Sequence, residues 1–188
     1  MVKPWKKLAS RITFTDPWMT LRTDTVELNN GNIIENYHVI DAKDWVNIIA
    51  LTDDGMMVTI HEYRHGIEEV TLGVPGGCID PEDESPLVAA HRELEEESGY
   101  TCRELVQTGH SSANWADHSN QIYFFLGFGA EPNGRMNLDP NEEIAVSLTP
   151  FSDFRNYDFD GPKHTHHAAA LFFAERYFKR HPDRDPCK

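Results

Sequence analysis

Glu84, seven intervening residues, and then Arg92-Glu93-Leu94-Glu95-Glu96-Glu97-Ser98-Gly99-Tyr100 form the stretch from which the rest of the chain is read. Ser85 is a natural helix N-cap, Pro86 suits the first helical position, and Gly99 suits the residue just past the last turn. Between these marks Leu87, Ala90 and Leu94 recur at i, i+3 and i+7, which predicts the buried face of a helix. At about 100° per residue, Glu93, Glu96 and Glu97 fall within roughly 100° of one another on that helix. Like charges at such spacings cost about 0.2–0.5 kcal/mol per pair, and acids near a helix C-terminus oppose its dipole by up to about 1 kcal/mol each. No lysine lies between Ser85 and Gly99 to relieve them. A plain solvated acidic face is one reading; a cluster that holds hard divalent cations through oxygen explains why the repulsion persists.

Upstream of this helix the chain reads as strands joined by tight turns. Trp18 to Leu28 and Asn32 to Ile40 flank Asn29-Asn30-Gly31, and Val46 to Leu51 and Met56 to Tyr63 flank Asp53-Asp54-Gly55. Both turns carry residues that tolerate positive φ, so two hairpins are expected. Val46 to Leu51 is nearly all apolar, as in a strand buried on both faces. Gly73-Val74-Pro75-Gly76-Gly77 is turn-rich. Downstream, Gln121 to Phe128 is a further apolar strand, and Ile144, Val146 and Leu148 alternate as in a strand with one wet face. A last helix near His167 to His181 has an apolar stripe of Ala170, Phe173, Ala174, Tyr177 and Phe178; Pro182 stops it. The pattern is one α+β domain with a strand-rich N-terminal portion.

With 188 residues, 39% hydrophobic and 26% charged, the chain has the composition of a globular domain with a sizeable core. Its formal net charge of −14 lacks the positive field that a nucleic-acid polymer or an anionic membrane requires. A small phosphate ester remains compatible if metal ions supply the positive charge locally. Three scattered cysteines, Cys78, Cys102 and Cys187, show neither a disulfide framework nor a paired zinc spacing. They suit a reducing cytoplasm. The lysines at 3, 6 and 7 are not followed by an apolar stretch of signal-peptide length, and no run approaches the roughly 18 residues of a membrane helix.

The stretch from Glu84 to Tyr100 resembles the signature of the Nudix hydrolase family, Gly-x5-Glu-x7-Arg-Glu-U-x-Glu-Glu-x-Gly-U, where U is bulky and apolar. The opening glycine departs from the pattern: Gly77 lies one residue too far before Glu84, which reads as an insertion within Cys78 to Asp83. The resemblance implies the Nudix fold, a mixed β-sheet core sandwiched between helices, with an N-terminal antiparallel β extension. It also implies Mg2+ or Mn2+, two or more ions per site, held by Glu93, Glu96 and Glu97 with the Gly77 carbonyl. Arg92 would position a carboxylate and Glu84 would lock the loop onto the helix, with Gly99 ending it. Carboxylate-bound metal neutralises a pyrophosphate and activates water, so no covalent nucleophile is needed.

More loosely, nearly the whole chain is similar to the family's ADP-ribose and nucleoside diphosphate sugar pyrophosphatase branch. Residues 1–42 would then be a β extension that builds a homodimer, and 43–188 the Nudix domain. In His61-Glu62-Tyr63-Arg64-His65 the resemblance makes Arg64 a substrate phosphate contact, against a plain surface arginine. Ser112 to Asn120 falls where the branch places a substrate-facing loop, which makes Asn114 and Trp115 candidates. Trp115 either stacks on a base or fills the loop's own core. Trp18 and Trp5 either stack on a base or pack in the core or the dimer. The branch's general base comes from a loop here matched by Asp139-Pro140-Asn141-Glu142-Glu143; Glu142 is the first choice and Glu143 the second, beside the bland reading of solvated loop acids. Glu96 and Arg92 complete the candidate catalytic set. His164-Thr165-His166-His167 reads as helix-entry packing or a substrate contact rather than zinc. The expected activity is hydrolysis of a nucleoside diphosphate derivative, ADP-ribose or a nucleotide sugar, to a nucleoside monophosphate and a sugar phosphate. Nucleoside triphosphates or dinucleoside polyphosphates are the alternative substrates, and a catalytically silent ADP-ribose-binding module is the non-enzymatic one.

Overall fold

Asn29-Asn30-Gly31 and Asp53-Asp54-Gly55 both turn the chain back on itself, with Gly31 at φ 85° and Gly55 at φ 80°, a region that costs a side chain and that glycine enters freely. The computed structural model describes residues 1–156 and 160–188. They divide into two units, Met1–Asp44 with Ser111–Gln121, and Trp45–His110 with Ile122–Lys188.

The first unit is built on strands β1 (Lys6–Thr15), β2 (Met19–Glu27) and β3 (Ile33–Ala42) in an antiparallel sheet of that order. β2 and β3 are the expected first hairpin, in register from Met19↔Ala42 to Glu27↔Ile33. β1 was not legible as a separate strand: its register with β2 shifts at Lys7/Ala9 and again at Ile12/Phe14, which breaks the period-two pattern. All ten of its residues are exposed. Residues 111–121 join this unit through Ile40, whose N–H donates to the Asp117 carbonyl at 2.7 Å and whose carbonyl accepts from the Ser119 N–H at 3.1 Å.

The second unit begins with β4 (Trp45–Leu51), β5 (Met56–Arg64) and β6 (Glu69–Gly73), followed by α1 (Pro86–Ser98). Then come β7 (Tyr100–Ser112), β8 (Gln121–Pro132), β9 (Ile144–Pro150), α2 (Phe151–Arg155) and α3 (Thr165–Arg180). The sheet order is β6-β5-β4-β8-β7, with β9 on β5. β4 runs parallel to β8 from Trp45↔Ile122 to Leu51↔Phe128, while the β5 pairings are antiparallel, so the sheet is mixed. From Val46 to Leu51 every residue of β4 is buried, as its apolar run predicts.

Successive residues of a strand face opposite sides, and β8 shows it. Phe125 joins Val46, Ile48 and Val58 in a cluster against Ala89, Ala90 and Leu94 of α1. Its neighbour Phe124 stacks on Phe173 of α3, centroids 5.3 Å apart. A side chain at Gly109 would come within 2.3 Å of that Phe173 ring. The sheet is therefore covered by α1 on one face and α3 on the other, the expected sandwich. Two readings of buried faces need correction. Leu87 is 41% exposed: small Ala89 and Ala90 bring the helix onto the sheet, and Leu87, in the terminal turn, stays in solvent. In β9, Leu148 is exposed and its polar neighbours face inward. Thr59, fully buried on β5, bonds Ser147 Oγ at 2.9 Å and Thr149 Oγ1 at 3.0 Å there.

Candidate active site

Ser85 caps α1 by accepting from the Val88 N–H, and Gly99, at φ 67°, donates its N–H to the Glu95 carbonyl at 2.8 Å. These ends set which residues face the loop before the helix. Pro75-Gly76-Gly77 lies along β4: Ile48 donates to the Pro75 carbonyl and Val46 to the Gly77 carbonyl, each at 2.9 Å. A side chain at Gly76 would collide with the Val46 carbonyl at 2.1 Å, and one at Gly77 with the Glu93 carboxyl at 2.5 Å. Gly76 faces backbone and must be glycine for the loop to lie between strand and helix, whereas at Gly77 a side chain would displace the Glu93 carboxyl. The Gly76 N–H then reaches Glu97 Oε2 at 2.7 Å. Gly77, Glu93 and Glu97 are thus brought together, and the Gly77 oxygen keeps one lone pair beyond the one Val46 uses.

Arg92 is the hub of the loop. Its Nε and Nη2 donate to Asp83 Oδ1 at 3.2 Å and Oδ2 at 2.8 Å, and Nη2 also donates to the Cys78 carbonyl at 2.9 Å. Nη1 donates to Glu93 Oε1 at 2.8 Å and Glu96 Oε2 at 3.0 Å. The lock expected of Glu84 falls on Asp83 instead; the Asp83 side chain is only 5% exposed, while Glu84 faces solvent. Gly77 to Asp83 is the five-residue spacing of the motif, so the extra residue lies after the lock, not within Cys78 to Asp83. Physical position decides it: a buried carboxylate forked onto a guanidinium does the locking, and a shorter acid does it as well as glutamate.

The acidic face is buried and short of positive charge. Burial pushes the Glu93 carboxyl up to about 7, against the pull of Arg92, with Glu96 and Glu142 adding to the rise. Burial likewise lifts Glu97 to about 8, opposed by the Gly76 N–H and reinforced by Glu93, Glu62 and Glu142. Two of these contributors come from other elements. Glu62, on β5 opposite Ile144, is itself raised by burial and by Glu142 and lowered by Arg64. Sequence reading missed Glu62, since only the sheet register brings it beside α1. Glu142 acts on Glu62, Glu93 and Glu97 alike. Its carboxylate accepts from the Asp139 N–H at 3.0 Å, and its own N–H donates to the Asp139 carbonyl at 2.9 Å. Glu142 and Glu143 are both exposed, and Glu143 is not among the leading contributors to these three.

As they stand, the acids do not converge on one point: among the described residues no group of three acids, cysteines or histidines is placed to hold an ion. Arg92 takes up Glu93 and Glu96, and Gly76 takes up Glu97. The chemistry of the set nevertheless fits a divalent cation. Its donors are all oxygen, as Mg2+ or Mn2+ require, and Arg92, the cation that pairs with Glu93 and Glu96, does not offset the cost of burying Glu93.

Arg64 is anchored, its Nη2 lying 2.8 Å from Glu62 Oε2, with nearly half its side chain in solvent. Trp18, Asn114 and Trp115 belong to the first unit. Trp18 is 75% and Trp115 91% exposed, so Trp115 does not fill its loop and Trp18 is not in a core. Asn114 orders its own turn: Nδ2 donates to Asp117 Oδ1 at 2.7 Å, and the His118 N–H donates to the Asn114 carbonyl at 2.8 Å. The histidine tract packs at the entry to α3. His164 accepts from the His166 N–H, and His167 lies against Phe154, centroids 5.7 Å apart.

Comparison with known proteins agrees with this geometry. The model of the NUDIX domain matches residues 43–171, and that of the nucleoside diphosphate sugar hydrolase N-terminal domain matches residues 5–40. A methanol dehydrogenase activator of Bacillus methanolicus is 30% identical, over 77% of this chain and 78% of its own. An ADP-ribose pyrophosphatase of Bacillus subtilis is 28% identical, over 79% and 80%. A crystal structure of an ADP compounds hydrolase shares the fold with a TM-score of 0.80 at 23% identity, covering 96% of this chain and 97% of that one. The NUDIX match takes in the loop, the helix and the acids just described, and the chain belongs to the Nudix hydrolase family.

Proposed function

We propose that the chain hydrolyses the pyrophosphate bridge of ADP-ribose or a related nucleoside diphosphate sugar, releasing a nucleoside monophosphate and a sugar phosphate. The observation that carries this reading is the burial of Glu93 and Glu97 against Gly76 and Gly77 with Glu62 and Glu142 beside them, an anionic pocket in need of cations. Glu93, Glu96, Glu97 and the Gly77 carbonyl would hold Mg2+ or Mn2+, two or more ions per site. When bound, such ions neutralise phosphate charge and lower the pKa of water.

The chain's own groups do the rest. Arg92 keeps the loop and two of the acids in place. Glu142, on its turn, takes the proton of the attacking water. Arg64, held by Glu62, offers its guanidinium to a phosphate oxygen. Trp115 and Trp18 are large exposed aromatics suited to stacking on a base, with Asn114 shaping the turn that presents Trp115. The similarity to an ADP-ribose pyrophosphatase and to the N-terminal model of nucleoside diphosphate sugar hydrolases favours this substrate class over triphosphates.

Residues 1–42 form the dimerisation extension and 43–188 the catalytic domain. β1 supports that division: Leu8, Ile12 and Phe14 are exposed on an edge strand with exposed Trp5 just before it, apolar surface that a second copy of the chain would cover. Cytoplasmic placement rests on the scattered cysteines; among the described residues no helix is long and apolar enough to cross a membrane. A hydrolysis panel with Mg2+ or Mn2+, products identified by mass spectrometry, tests the substrate. Nucleoside monophosphate plus sugar phosphate supports the reading, whereas inorganic pyrophosphate from triphosphates, or intact ADP-ribose bound without product, contradicts it.

A further inference from the structure

The chain between β8 and β9 carries Glu142, and it docks on the C-terminal end of α1. The last carbonyls of a helix have no partner within it, and here the loop satisfies one of them and the carbonyl of the capping Gly99. Asn133 donates its N–H to the Gly99 carbonyl at 2.8 Å, and Asn137 donates its N–H to the Glu96 carbonyl at 2.9 Å. The Asn133 side chain fixes the first of these. Its Nδ2 donates to Glu95 Oε2 at 2.8 Å and its Oδ1 accepts from the Arg135 N–H at 3.0 Å. Arg135 Nη1 lies 3.9 Å from the other oxygen of Glu95. Met136 then sits over Gly99, so close that a side chain there would be 3.3 Å from its Cβ.

Glu95 stands apart from its neighbours. At about 100° per residue it lies roughly 160° around the helix from both Glu93 and Glu97. It takes no part in the pocket, and it occupies a position the family motif leaves open. Yet it lies at the end of a helix whose dipole disfavours acids, and its one role visible in the structure is to hold the loop. From Asn137 the chain reaches Asp139 in two residues, and the Asp139–Glu142 turn carries the carboxylate.

We infer that Glu95 and Asn133 form a clasp that sets the position of the Glu142 loop over α1, which makes Glu95 a positioning residue for turnover and not a cation ligand. This rests on the reading of Glu142 as the base that activates water. A small misplacement of such a base is costly, because a shift of about 1 Å loses up to about a hundredfold in rate.

The test uses the full chain with Mg2+ and ADP-ribose, and the variants Glu95→Ala, Asn133→Ala, their combination and Glu95→Gln. Each alanine variant is expected to lower kcat roughly ten- to hundredfold, with KM and the half-saturating Mg2+ concentration within about twofold of the parent. The combination should lose no more than the worse single variant, since both break one link. Glu95→Gln keeps an acceptor for Asn133 Nδ2 and should recover most of the loss. Hydrogen exchange supplies a readout without activity: amides 133–143 should exchange faster in the alanine variants while the middle of α1 stays protected. Unchanged kcat in both alanine variants, or a Mg2+ requirement that rises in step with the loss of kcat, overturns the clasp. If Glu142→Gln keeps full turnover, the base reading alone fails, and the exchange rates decide the clasp: faster loop exchange upholds it and unchanged exchange overturns it.

Discussion

Arg92 holds Asp83 with two parallel hydrogen bonds, at 3.2 Å and 2.8 Å, and this fork closes the loop onto the helix that carries the acids. Glu84, one residue on, faces solvent. Asp83→Ala removes two charge-assisted hydrogen bonds from Arg92, which keeps Glu93, Glu96 and the Cys78 carbonyl, and should cost about 3 kcal/mol. For a chain of this size that lowers Tm by roughly 6–12 °C. Glu84→Ala should stay within about 0.5 kcal/mol of the parent. Thermal melts of the two variants check the assignment, and equal losses would return the lock to Glu84.

Charge in the pocket sets a pH dependence. Burial raises Glu93 to about 7 and Glu97 to about 8 in the cation-free protein, from an ordinary 4.5. The folded state therefore holds more protons than the unfolded state between these values. The stabilisation is complete below 4.5 and is lost as pH rises through 7 and then 8. A chelator-treated sample should melt at a lower temperature near about pH 8.5 than near about pH 6. Saturating Mg2+ should abolish the difference and release protons on binding. Differential scanning calorimetry with and without chelator reads it directly.

Glu62 and Arg64 should behave as one unit, since Glu62 holds the guanidinium at 2.8 Å. Arg64→Ala removes the proposed charged phosphate contact and is expected to raise KM about tenfold or more. Glu62→Gln should raise KM in the same direction by loosening Arg64. Because the two changes break the same contact, the double variant should show less than the product of the single effects. Independent, multiplicative effects in steady-state kinetics would separate the two residues.

The exposed β1 predicts a two-chain assembly. Ile12→Lys places a charge on its apolar surface, where Ile12 is 65% exposed, and should shift the protein from dimer to monomer without loss of secondary structure. Light scattering coupled to size exclusion reads this; a parent that is monomeric at micromolar concentration would refute the dimer.

Local chemistry made α1 and the two hairpins legible. Ser85, Pro86 and Gly99 fix the helix ends within a residue, and the Asn-Gly and Asp-Gly turns fix the hairpins. What escaped depends on distant partners. β1 carries register shifts that erase alternation, and short, mostly polar β6 is defined by its pairing with β5. Glu62 joins the pocket because β5 pairs with β9, and Asn133 meets Glu95 across 38 residues of chain. The spacing from Gly77 marks Asp83, but the adjacent Glu84 fits the motif by residue type. Residue type misled where burial decided.

The most direct test is a calorimetric titration of Mg2+ or Mn2+ into the parent and into Glu97→Gln, with adenosine monophosphate present. Glu97→Gln keeps the shape of a side chain that is 5% exposed while removing its charge. The account predicts cation binding with proton release by the parent, and binding weakened together with turnover by orders of magnitude in the folded variant. No cation uptake by the parent, or near-normal uptake and turnover in Glu97→Gln, would contradict it.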